Sequence, residues 1–122
     1  MLKSDGEKTK GALALHRKAV VIDLCERPIV DAKYFDELLS AGVTVANVTL
    51  EEFEFYAFGQ AVQRTFQEST RRISEHIRWI EASADKALLA ETVEDILRAK
   101  KEGKVAVTLA HQNTSYIGDD LN

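Results

Sequence analysis

Hydrophobic residues are spaced along this chain in two rhythms. Three runs carry apolar side chains at both odd and even positions, as strands buried on both faces do. They are Ala19-Val20-Val21-Ile22-Asp23-Leu24, Val43-Thr44-Val45-Ala46-Asn47-Val48-Thr49-Leu50 and Lys104-Val105-Ala106-Val107-Thr108-Leu109-Ala110. Elsewhere apolar residues recur every three or four positions, the period of a helix with one packed side. Thr9 to Lys18, with Ala12, Leu13 and Leu15, reads as a short amphipathic helix, and residues 1–8 as a frayed tail. Asp31 can cap a helix from Ala32 to Ala41 that turns Phe35, Leu38 and Leu39 inward, and Gly42 suits the left-handed residue that ends it. A long helix is expected from Gln60 to Ser83, with Val62, Phe66, Ile73, Ile77 and Ile80 on one face. Glu68 with Arg72 and Arg71 with Glu75 pair on its polar side. His16 and His76 read as surface residues of their helices, and Trp79 as a packing residue. Lys86-Ala87-Leu88-Leu89-Ala90 reads as a short extended link. Thr92 and Asp95 then resemble a capping box for a helix that runs to Glu102 and stops at Gly103.

Strands alternating with helices imply right-handed parallel crossovers. The expected fold class is therefore α/β, a single unit over residues 1–122 built of parallel βα units. Three such strands do not close a sheet, and a complete eight-stranded barrel takes about 250 residues. The expectation is a small open α/β unit or the front part of something larger, the first three strands of a TIM-type (β/α)8 barrel. Open sheet edges would then be covered by the remainder of the barrel or by a second copy in a homo-oligomer.

Composition narrows the partners. A hydrophobic share of 45% and a charged share of 30% are those of an ordinary globular domain. A formal net charge of −4 leaves no basic footprint, so neither nucleic acid nor a membrane surface is expected as a partner. One cysteine, Cys25, cannot form an internal disulfide, and the start Met1 to Lys8 is too polar for a secretion signal. Both favour a cytoplasmic location.

The candidate chemistry gathers at the end of the last strand, where parallel-sheet enzymes present their sites. There the chain reads His111-Gln112-Asn113-Thr114-Ser115. His111 suits acid–base or ligand work, or a hydrogen-bonded place on the rim. Gln112, Asn113, Thr114 and Ser115 can hold a substrate carboxylate or amide with neutral donors, or form a self-satisfying turn. Arg27 can grip a carboxylate with two parallel hydrogen bonds, or pair with Glu26 or Asp31. Cys25 fits a small buried hydrophobe, a metal ligand, or a nucleophile activated by His111. The first and last strands lie about 10 Å apart if the middle one sits between them. The acidic, aromatic stretch Glu51 to Gly59 reads as a loop or short lid, and its Phe53, Phe55, Tyr56 and Phe58 as core or helix-covering residues rather than a ligand cage.

A family resemblance lies in the order and spacing of four stretches. His16-Arg17-Lys18-Ala19-Val20-Val21-Ile22-Asp23 resembles the opening of the membrane (renal) dipeptidase family. Ala41 to Thr49 is similar to its second strand, and Thr92 to Ala106 to its helix ending in Glu-Gly-Lys before the next strand. Gln112-Asn113-Thr114-Ser115 is similar to a divergent branch that carries this tetrapeptide in place of Glu-Gly-Gly-His. The resemblance spans roughly residues 12–122. It implies an amidohydrolase-like barrel in which two zinc ions at the strand ends activate water to hydrolyse dipeptides. It also implies where ligands would stand. The family's His-x-Asp after the first strand corresponds to Cys25-Glu26-Arg27, and its bridging Glu corresponds to Gln112. Arg27 has no lone pair to give a metal, whereas Cys25 and Gln112 could each supply one donor. The expected function is thus the N-terminal part of a zinc metallopeptidase-like hydrolase acting on small peptides or amides. The chain alone is expected to be inactive. The alternatives are a metal-free relative that binds a small ligand, and an assembly protein that completes its sheet with another chain.

Overall fold

A computed structural model describes residues 5–26, 31–50, 66–111 and 117. Helix α1 (Asp5–Lys18) leads to strand β1 (Ile22–Glu26), helix α2 (Ala32–Ala41) and strand β2 (Val45–Thr49). Helix α3 (Phe66–Ala82), strand β3 (Ala87–Leu89), helix α4 (Val93–Glu102) and strand β4 (Val105–Ala110) follow. The four described strands form one parallel sheet in the order β1-β2-β4-β3. The α/β class and the parallel βα units are as the sequence predicts. Two expectations change at the level of elements. The expected link at residues 86–90 contains a strand, because Ala87 to Leu89 pair in register with Val105 to Val107. Residues 5–8, expected in the frayed tail, belong to α1, which begins at Asp5.

Local chemistry sets the helix ends. The Asp31 carboxylate accepts the Tyr34 N–H at 2.7 Å and starts α2. Thr92 and Asp95 close a reciprocal capping box at the start of α4. Gly42 and Gly103 end these helices at φ 77 and 69, where only a residue without a Cβ sits without strain. Gly42 has a second constraint. A Cβ there would come within 2.8 Å of His16 Nε2. That ring nitrogen donates to the Ala41 carbonyl at 2.7 Å and ties α1 to the end of α2.

The crossovers decide which face each helix covers. The path β1 to β2 to β3 advances across the sheet in one direction, and β3 to β4 steps back. Right-handed connections then place α4 on the opposite face from α2 and α3. The packing follows. Phe35, Leu38 and Ile80 pack against Ala46, Val48, Ala87, Val105 and Val107. Ala99 and Ile96 of α4 pack against Val45, Leu88 and Ala106 on the other side. Thr44 stitches the second layer. Its hydroxyl accepts the Val21 N–H at 3.2 Å and the Lys100 ammonium at 3.3 Å.

Candidate functional site

Strand order puts the expected site residues on three neighbouring strand ends. β2 lies between β1 and β4, so the backbones at Cys25 and His111 are separated by two strand spacings, roughly 10 Å. Cys25 belongs to β1, which is irregular against β2 between Asp23 and Glu26. His111 directly follows β4, half-buried and engaged with a neighbour. Arg27, Gln112, Asn113, Thr114 and Ser115 lie outside the described residues. Among the described residues no group of three or more His, Cys, Asp or Glu could hold a metal ion. The described donors therefore do not complete the zinc site that the resemblance implies.

One face of the sheet near these ends is chemically unlike the other. Ala46, Val48, Val107 and Leu109 point toward α2 and α3 and form the apolar core. On the opposite face the alternation of β2 runs Val45, Asn47, Thr49, and that of β4 runs Ala106, Thr108, Ala110. Val45 and Ala106 are covered by α4. Asn47 and Thr108 are direct register partners one step nearer the strand ends, as are Thr49 and Ala110 beyond them. Asn47, Thr49 and Thr108 are half-buried. The residue classes thus pass from an apolar floor to a polar step as the strands approach their C-terminal ends. Sequence reading passed over Asn47 and Thr108 because they sit inside strands. The available signal was Asn47, a type depleted from strands, among β-branched neighbours.

A second polar row runs along the buried side of α3. Ser69 and His76, two turns apart, are each less than a twentieth exposed. This corrects the reading of His76 as a surface residue. A carbonyl only accepts, so His76 Nδ1 donates to the Arg72 carbonyl at 2.8 Å. His76 Nε2 and Ser69 Oγ are buried without a hydrogen-bond partner among the described residues. The Trp79 ring lies 4.9 Å from the imidazole at a tilt of 58°. Trp79 is nonetheless 41% exposed, and Phe66, expected on the inward face, is 73% exposed. Ile80 is buried as expected, and Ser69 and His76 join it on the inward stripe of α3.

No protein-family model matches the chain, and no curated protein matches it. Two solved structures from Pseudomonas aeruginosa do. One is an amidohydrolase, superposing with a TM-score of 0.76 at 24% identity over 88% of this chain and 30% of that one. The other is described as the probable dipeptidase PvdM, with a TM-score of 0.69 at 14% identity over 97% of this chain and 34% of that one. The fold is that of the beginning of a TIM-type barrel, as in these two structures. This chain spans about a third of the length of the structures it matches. In a barrel, the face bearing Asn47 and Thr108 would be the inner one, since α2 and α3 cover the other. Among the described residues no helix is long and apolar enough to cross a membrane.

Proposed function

We propose that this chain forms the opening βα units of a dipeptidase-like hydrolase that cleaves small peptides or amides at the C-terminal edge of its sheet. The observation that carries this is the superposition of nearly the whole chain on an amidohydrolase and a dipeptidase-like structure. Activity in this reading belongs to the complete barrel. Zinc enters only through the resemblance, and it would have to be held with Gln112 in place of a bridging carboxylate. The test is metal analysis and dipeptide hydrolysis on a polypeptide that carries the full barrel. Bound zinc together with chelator-sensitive hydrolysis is the expected result. Absence of both sinks the metallohydrolase reading.

A metal-free relative that binds a small ligand is favoured by one specific observation, the substitution of both testable ligand positions by Cys25-Glu26-Arg27 and Gln112. Here Gln112→Ala should lose ligand binding while the protein folds normally, and metal-dependent hydrolysis would dispose of the idea. The assembly reading draws on strand β1, where Ile22 is 51% and Leu24 74% exposed at the sheet edge. A stable monomer at micromolar concentration would end it.

A further inference from the structure

The Asn47–Thr108 step has a chemistry that neither core packing nor secondary structure accounts for. Asn is depleted from strand interiors because its side chain competes for backbone hydrogen bonds. It is retained here beside Thr108, on adjacent parallel strands and in register, so the two residues lie one strand spacing, roughly 5 Å, apart on one face. No hydrogen bond among the described residues engages either side chain. Among the described residues, nothing therefore occupies their donors and acceptors. Below them Val45, Ala106, Ala99 and Ile96 make a dry apolar floor. Above them Thr49 and Ala110 carry the face on to the strand ends.

We propose that Asn47 and Thr108 form a neutral subsite that binds the amide group of a small peptide-like ligand. The proposal rests on the dipeptidase-like reading for its ligand class, and on the register and alternation of β2 and β4 for its place. The Asn47 carboxamide offers a donor and an acceptor in one plane, the complement of an amide's carbonyl and N–H. The Thr108 hydroxyl adds a rotatable donor to the same carbonyl. Neither group is ionised, so an uncharged amide is recognised without a counter-ion.

The experiment is a nuclear magnetic resonance titration of the 122-residue chain with alanyl-alanine and, separately, with uncharged N-acetylglycinamide. It follows the Asn47 side-chain amide and the Thr108 methyl group. Saturable shifts at both residues are expected with both probes. Asn47→Leu and Thr108→Val, each removing hydrogen-bonding groups, should each weaken binding about 5- to 10-fold. Circular dichroism melting checks that each variant is folded, and either variant alone suffices for the comparison. Saturable shifts confined to the neighbourhood of His111 and unchanged by both substitutions would overturn this subsite and leave the dipeptidase-like reading standing. No saturable shift anywhere with either probe would overturn the subsite, while the dipeptidase-like reading is decided separately by hydrolysis on the full barrel.

Discussion

Ser69→Ala should stabilise this protein. The Ser69 hydroxyl is buried on the inward side of α3 and has no hydrogen-bond partner among the described residues. A buried polar group in that condition costs about 1–3 kcal/mol relative to one that is satisfied or absent. Replacement by Ala also gains roughly 0.5 kcal/mol of helix propensity. The lost volume is one oxygen atom, so the cavity penalty is small. The expected gain is about 1.5–2 kcal/mol. With a urea slope of about 1.5 kcal/mol/M, suited to a chain of this size, the unfolding midpoint rises by roughly 1 M. Ser74→Ala is the internal control on the same helix. The Ser74 hydroxyl donates to the Thr70 carbonyl at 2.9 Å and remains partly exposed. Its propensity gain offsets the lost bond, and the midpoint should stay within about 0.3 M. A Ser69→Ala variant no more stable than Ser74→Ala at unchanged slope would refute an uncompensated Ser69 hydroxyl.

Three further outcomes follow from other contacts. Gly42→Ala forces a Cβ into the left-handed region and onto His16 Nε2, so thermal unfolding should show a loss of about 1–2 kcal/mol. His16→Ala should lessen that loss by removing the clash. The Asp95 carboxyl is held below its usual value of 3.8, first by the Thr92 hydroxyl and then by the Glu91 N–H. Its contribution is therefore present above that value and lost as pH falls through the lower folded-state one. Asp95→Asn should cost stability at neutral pH, and the gap to the parent protein should close in acid denaturation curves. The Lys86 ammonium is held above its usual 10.5, chiefly by its hydrogen bond to Asp36. That contribution is complete below 10.5 and fades as pH rises through the higher folded-state value, so Lys86→Met should differ from the parent at pH 8 and converge with it in strong alkali.

The elements most legible in the sequence were those whose signals are local. The caps at Asp31 and Thr92 and the glycine stops at Gly42 and Gly103 depend on a few neighbouring residues, and each formed as spacing predicts. Strand β3 was not legible, because three apolar residues carry no period. It became a strand only through its partner 18 positions away, as in the pairing of Ala87 with Val105. The inward face of α3 was misread for a related reason. Periodicity assigns the apolar side to the core by default, and Ser69 and His76 are buried by what surrounds them rather than by their own hydropathy. The placement of Cys25 and His111 on either side of β2 was foreseeable from parallel topology alone.

The position of α4 does most to redefine where function should be sought. An all-outward set of helices would leave the inner face of β2 and β4 open along its whole length. Instead α4 seals the N-terminal part of that face over Val45 and Ala106, and Lys100 reaches Thr44 beneath the start of β2. Whatever lies on this face is therefore confined to the segment between Asn47 and the strand ends, the end at which barrel enzymes place their chemistry. That confinement separates two roles that the strand-end residues alone would not. Residues after Ala110 can vary in ligand chemistry, while Asn47 and Thr108 stay fixed by the register of two central strands. A rigid strand pair positions a polar group more closely than a loop does. Substitutions at Asn47 and Thr108 should therefore change ligand affinity with little change in the fold, whereas Ala99→Leu, which overfills the floor, should disturb both together.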